Sequence, residues 1–305
     1  MRSATNETFF VRWGTTLAAA LACLLVAASA GAEPGDNRGS EFVTVRDGRF
    51  YCRDKPYYFI GTNYWYGPLL ASPGATGDRQ RLARELDFLA AHGMRNLRIL
   101  AGAEGPDDQP SRVTPGLQQS PGKYSEELLA GLDYLLAEMA QRDMKAVLYV
   151  NNTWEWSGGY AQYLEWNGRG EIPYPMKTFW PEFMHYAAQF HDCRECIEDY
   201  LAHVRFMLSR TNQATGVKYV DDPTIMSWQI AENCDEGGPL AGCNFWTFGG
   251  TGRPSPGDPF WTKGEDILGD PPQEEQGLNA VFDVDTTIGV VDKYNRQLGA
   301  INTSN

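Results

Sequence analysis

The chain has 305 residues, 42% hydrophobic and 21% charged, enough for one large domain or two small ones and too apolar for long disorder. Its net charge of −13 repels nucleic acid and anionic membrane surfaces, which argues against both as partners and suits a neutral substrate. The 9 Trp and 15 Tyr exceed what one core needs, so part of this set is expected to line a surface or cleft.

The chain opens on an export signal. Arg2 and Arg12 supply positive charge, residues 15–28 form an apolar run, and Ala30-Gly-Ala32 resembles a small-residue cleavage site. The run is shorter than the ~20 residues of a membrane span. We expect a signal peptide over residues 1–32, a disordered leader over 33–40, a secreted product and no membrane attachment after cleavage. A retained signal anchor is the alternative. Cys23 leaves with the signal, so five cysteines remain: Cys52, Cys193, Cys196, Cys234 and Cys243. Cys193-Arg-Glu-Cys196 lies in a helical pattern without a second such pair, so a local disulfide or two free thiols fits better than a metal. The four His show no ligand spacing, and neither metal nor cofactor is expected.

From residue 41 the pattern predicts structure. Residues 41–51 alternate apolar and polar around Asp47-Gly48, a short hairpin. Residues 57–63 read as the first core strand. An amphipathic helix over 78–92 carries Leu82, Leu86, Phe88 and Leu89 on one face and stops at Gly93. A strand over 96–100, a helix over 124–142, a strand over 145–150, a long helical region over 183–209 and a strand over 225–230 follow. Strand–helix alternation of this kind calls for a parallel sheet with helices outside it. The strands end in polar or aromatic residues, among them Asn63, Tyr64 and Trp65, then Arg98, Asn151 and Trp154, then Trp228 and Glu232. Functional groups at the C-terminal ends of several strands favour a β/α barrel. A doubly wound sheet is the alternative, but no Gly-rich phosphate fingerprint follows the first strand.

After Asn233 the rhythm breaks. Residues 237–250 carry a fifth strand ending in Trp246 and Phe248, a Pro- and Gly-rich loop follows, and a last helix is predicted over 287–298. Five core strands are recognisable, and no residues remain for three more.

Three segments carry a resemblance: Asn151-Asn-Thr-Trp-Glu-Trp-Ser-Gly-Gly159, residues 221–231, and residues 240–250 with 269–279. They resemble the third strand's loop, the fourth strand, and the eighth strand with its loop in the endo-β-1,4-mannanases of glycoside hydrolase family 5. The resemblance implies a (β/α)8 TIM barrel of the α/β class, here incomplete, over 41–305. It also implies a polysaccharide partner (mannan, glucomannan or galactomannan) and a retaining mechanism with two carboxyl groups about 5–5.5 Å apart. The family reads Asn-Glu-Pro after the fourth strand, where this chain reads Glu232-Asn233-Cys234. We infer an internal truncation near 231–237 that removes strands five to seven, very roughly 100 residues of a barrel of about 250.

Glu232 is the candidate acid/base, although a one-residue slip turns a strand side chain to the opposite face. The seventh strand would carry the nucleophile, which is not identifiable. Glu265, Glu274 and Glu275 fall on polar loops, and Glu155 reads as a rim residue. By resemblance Arg98 steadies the nucleophile and Trp246 lies beneath the cleaved sugar. Asn63, Tyr64, Trp65, Asn151, Trp154 and Trp228 complete the expected substrate-binding set. For Trp65 and Trp154, packing beneath the cleft is the alternative. Asn151-Asn-Thr is also a glycosylation sequon, and a glycan there would block the cleft. A monomer is expected. Three functional readings stay open: a secreted mannan hydrolase, a carbohydrate-binding remnant without turnover, and the inactive product of a shortened gene or transcript.

Overall fold

The computed structural model describes residues 41–109, 112–174, 178–229, 242–245, 248–249, 281–282 and 286–303. Three short antiparallel strands come first: β1 (Val43–Arg46), β2 (Arg49–Cys52) and β3 (Lys55–Pro56). The turn between β1 and β2 places Asp47 and Gly48 at positive φ, as the Asp-Gly pair predicts. The central sheet has five parallel strands: β4 (Phe59–Asn63), β5 (Asn96–Leu100), β8 (Lys145–Tyr149), β9 (Ile225–Gln229) and β10 (Gly242–Phe245). A small antiparallel pair, β6 (Gln118–Ser120) and β7 (Lys123–Tyr124), lies between β5 and β8 in sequence.

The order across the sheet is β10-β4-β5-β8-β9. The first four strands in the chain therefore sit side by side, and the strand after the break returns to the first, with Cys243 opposite Ile60 and Phe245 opposite Thr62. A β/α barrel closes by pairing its last strand with its first in this way. Among the described residues β9 and β10 form the two edges and do not pair with each other.

Alternation along the strands divides the faces. Leu97, Ile99, Ala146 and Leu148 are fully buried on the helix side. Arg98 pairs with Val147 and Tyr149 with Gln229, which places these four on the opposite, inner face.

The helices form where the pattern predicts, with sharper ends. In α2 (Arg79–Ala91), Asp78 caps the first turn by accepting from the Arg81 amide (2.8 Å), and Leu82, Leu86 and Leu89 are fully buried. In α3 (Glu126–Gln141), Ser125 is the cap, and Leu128, Leu129, Leu132, Leu135, Leu136 and Met139 are buried. Two short helices were not legible in the pattern: α1 (Gly67–Ala71), fully buried, and α4 (Gly159–Trp166). The long helical region is divided into α5 (Trp180–Ala188), a 3-10 turn over Gln189–Asp192, and α6 (Arg194–Ser209). The cause is local: Cys193 is extended and caps α6, its sulfur lying 3.3 Å from the Cys196 amide, and Cys193 and Cys196 form a disulfide.

The short strands β11 (Phe248–Gly249) and β12 (Val281–Phe282) pair in parallel, and the chain reaches α7 (Thr286–Thr303). Asn295 of α7 accepts from the Ile60 amide (3.0 Å) and donates to the Ile60 and His92 carbonyls (3.1 and 3.3 Å). The last helix is thus tied to the first core strand and to the end of α2.

One buried ion pair anchors the far side. Asp133 of α3, 1% exposed, accepts two bonds from Arg210 (3.0 and 2.6 Å), one from the Tyr219 hydroxyl (2.7 Å) and one from the Gln213 amide (3.1 Å). Removing one partner of such a pair leaves the other charge buried and uncompensated. Asp133→Ala is expected to cost about 3–5 kcal/mol, measured as a lowered urea midpoint with unchanged slope.

Candidate active site

Arg98 occupies the middle of β5 on the inner face. Its Nε donates to Gln229 Oε1 (2.6 Å), and its guanidinium lies 3.9 Å from the centre of the Tyr149 ring. Three adjacent strands thus hold Arg98 with a hydrogen bond and a cation–π contact, which fixes the planar guanidinium on the inner face. Asn63 stands opposite Arg98 in the β4–β5 register and is 2% exposed.

Beyond β8, Asn152 Oδ1 accepts from the Trp154 amide (2.7 Å) and Asn152 Nδ2 donates to Ser157 Oγ (2.6 Å), building a tight turn. Trp154 is half-buried and stacks on Trp180 of α5, ring centres 4.9 Å apart, while Trp180 also stacks on Phe183 (5.4 Å). The Glu155 carboxyl is pushed up by burial.

Several expected substrate contacts take other places. Tyr64 is fully buried and its hydroxyl donates to Glu85 of α2 (2.6 Å), so it packs into the helix layer. The reason is alternation: Asn63 points inward, so the next residue points outward. Trp65, 1% exposed, meets Trp156 edge-on at 5.7 Å, which is the packing alternative. Trp228 pairs with Leu148, on the helix face, and lies 6.4 Å from the Tyr219 ring. Asn151 is fully buried and its Nδ2 donates to Glu104 (3.1 Å), which removes it from direct contact with a ligand and leaves its sequon unavailable in the folded chain. Glu232 and Trp246 lie outside the described residues.

Sequence reasoning missed Glu104. This carboxyl is fully buried just beyond β5 and accepts from Asn151 Nδ2 and from the Gly159 amide, both at 3.1 Å. Arg112, 2% exposed, lies near and donates to Gln162 Oε1 (2.9 Å) and the Tyr174 hydroxyl (3.2 Å). Gly158 makes the close approach possible: its φ is +86°, and a Cβ there would stand 2.0 Å from the Glu104 carbonyl. The signal in the sequence was slight, a lone Glu in the Gly- and Ala-rich stretch Ala101-Gly-Ala-Glu-Gly105. Among the described residues no cluster of three or more His, Cys, Asp or Glu is disposed to hold a metal ion.

Parallel strands with helices outside, a fixed Arg on the inner face and aromatic groups beyond the strand ends fit a β/α-barrel enzyme. The comparisons agree. The family model described as GH family 5 beta-mannosidase-like matches residues 40–236 and 230–303, and the chain belongs to this glycoside hydrolase family. A glycoside hydrolase family 5 mannosidase from Rhizomucor miehei superposes with a TM-score of 0.76 at 26% identity, over 87% of this chain and 99% of that one. The endo-1,4-beta-mannanase of the same organism gives 0.50 at 25% identity, over 67% and 51%. In sequence the chain is 31% identical over 216 residues to mannan endo-1,4-beta-mannosidase 1 of Oryza sativa subsp. japonica, covering 69% of this chain and 45% of the relative. With mannan endo-1,4-beta-mannosidase 1 of Solanum lycopersicum the figures are 31%, 63% and 43%. The chain therefore spans less than half the length of these curated relatives.

Burial holds the Glu104 carboxyl at about 7, above its ordinary 4.5, against two hydrogen bonds and Arg112 that pull it down. The folded chain binds this proton more tightly than the unfolded one. The contribution to stability is full below about 4.5 and lost as pH rises through about 7. Between these values the native chain is expected to lose roughly 3 kcal/mol more than Glu104→Gln, at 1.36 kcal/mol per unit, read from denaturation curves at stepped pH.

Proposed function

We propose that this chain derives from a secreted endo-β-1,4-mannanase-type hydrolase acting on mannans by retaining double displacement, and that it binds mannan without turning it over. The observation that carries this reading is the parallel pairing of β10 with β4. It supports an ordering in which the described sheet holds strands one to four and eight of a barrel, with five to seven deleted from the chain. The two family matches share residues 230–236, where such a junction would fall. The relatives' names supply the substrate class: plant mannan endo-1,4-beta-mannosidases, and a Rhizomucor miehei mannosidase in complex with mannosyl-fructose.

The chemistry explains the loss of turnover. A retaining glycosidase needs one carboxyl to protonate the leaving oxygen and a second to attack the anomeric carbon. Glu232 follows β9 and is our candidate for the first role. The strand that would present the second is missing from this sequence. Binding asks less: Arg98 with Asn63 and Gln229 offers hydrogen bonds at the strand ends, and Trp154, backed by Trp180, offers a flat face to the C–H side of a pyranose. Trp246 is proposed to add a second platform. Residues 1–32 are proposed to direct export. Among the described residues no helix is long and apolar enough to cross a membrane.

The purified chain is expected to release reducing sugar from mannan at no more than the blank rate while migrating more slowly in a mannan-containing gel. Trp154→Ala should restore normal migration. Hydrolysis well above the blank would overturn the deletion reading, and unretarded migration of the native chain would overturn the binding one. A transcript carrying additional codons at 231–237 would show a longer, complete parent.

A further inference from the structure

The loop that presents Trp154 and Glu155 begins at Asn151 and ends at Gly159, and both ends meet a single side chain. Asn151 Nδ2 donates to Oε1 of Glu104 and the Gly159 amide donates to Oε2, each at 3.1 Å. Between them the loop is laced to the β5 side by the Glu104 amide donating to the Ser157 carbonyl and the Val113 amide donating to the Trp156 carbonyl, both 2.8 Å. Inside the loop, Asn152 fixes Trp154 and Ser157. Glu104 is thus a clasp, remote from solvent, on the segment that carries the sugar platform.

We propose that Glu104 is a positioning residue for saccharide binding, its carboxylate pinning both ends of the 151–159 loop and its protonated form releasing one of them. The physical reason is donor counting. Both partners are N–H donors, and an ionised carboxylate accepts from both. A carboxylic acid carries a hydrogen on one oxygen: on Oε2 it confronts the Gly159 amide, a fixed donor, and that bond is lost, whereas on Oε1 the bond to Asn151 survives only if the side-chain amide turns its unpartnered Oδ1 inward. The change falls in the neutral range because burial raises this group to about 7.

Arg112, from the segment after β5, lies near Glu104, and Glu155, inside the loop itself, is pushed up by burial as Glu104 is. Tyr124 of β7 is pushed up to about 12 and Tyr163 of α4 is raised well above its ordinary value, both by burial first and by Glu104 second. His203 of α6, whose Nδ1 lies 3.3 Å from the Tyr124 hydroxyl, is held down at about 4 by burial and stays neutral. Glu104→Gln separates the protonation of Glu104 from that of Glu155.

The ligand in this inference rests on the mannan reading, and the test separates the two. Amide hydrogen exchange of the 151–159 segment in the full chain, corrected for the intrinsic pH dependence, is measured from pH 5.5 to 8.5 beside mannopentaose affinity by calorimetry. Protection is expected to rise through about pH 7, with affinity rising on the order of tenfold, the equivalent of one hydrogen bond. In Glu104→Gln, whose amide keeps one acceptor at all pH, the rise through about pH 7 should be absent from both traces. The native chain's own pH profile decides the matter if that variant fails to fold. Unchanging protection in the native chain overturns the clasp, as does an equal pH response in the variant. Protection that rises while mannopentaose binds at no pH upholds the clasp and overturns the mannan reading.

Discussion

The pairing of β10 with β4 brings residues almost two hundred positions apart into one parallel ladder, and the placement of every later element follows from it. Parallel strands are buried on both faces and need helices outside them. Returning to β4 gives the last part of the chain a sheet to join, and α7 then docks on β4, with the Asn295 side chain standing in for a strand at Ile60. The cost of this topology falls on β9, whose outer edge has no strand beside it among the described residues. An edge of that kind invites pairing with other chains.

Around the inner face and the strand ends, the functional groups fall into two sets by burial. One is half-buried: Arg98, held by Tyr149 and Gln229, and Trp154 on its stack of rings. The other is dry, with Glu104, Asn151 and Arg112 all nearly or fully buried. A buried carboxyl with two donors is expensive to ionise and, once ionised, strongly directional. That combination suits a group that orders loops.

Much of the architecture was legible beforehand. The strands at 96–100 and 225–229 fall within a residue of where apolar runs predict them, and α2 and α3 follow their leucine stripes. The division at Cys193 was not legible, since a sulfur cap interrupts an otherwise continuous helical pattern. Nor were α1 and α4, which are too short for periodicity to register. In the site, the strand-end rule located the right segments and misjudged single residues. Tyr64 and Trp228 share strand ends with Asn63 and Gln229 but point the other way, because side chains alternate and composition does not say which parity faces inward.

Sequence alone determined the family and the α/β class, because long motifs and strand–helix rhythm are local properties of the chain. It also determined that a disulfide was available at Cys193 and Cys196. Tertiary structure decided which aromatic residues are half-exposed and which are core, since burial depends on neighbours distant in sequence. It alone revealed Glu104, an isolated acid in a Gly-rich stretch. That residue gains its meaning from Asn151 and Gly159, which lie some fifty positions away and reach it only through the β5–β8 register.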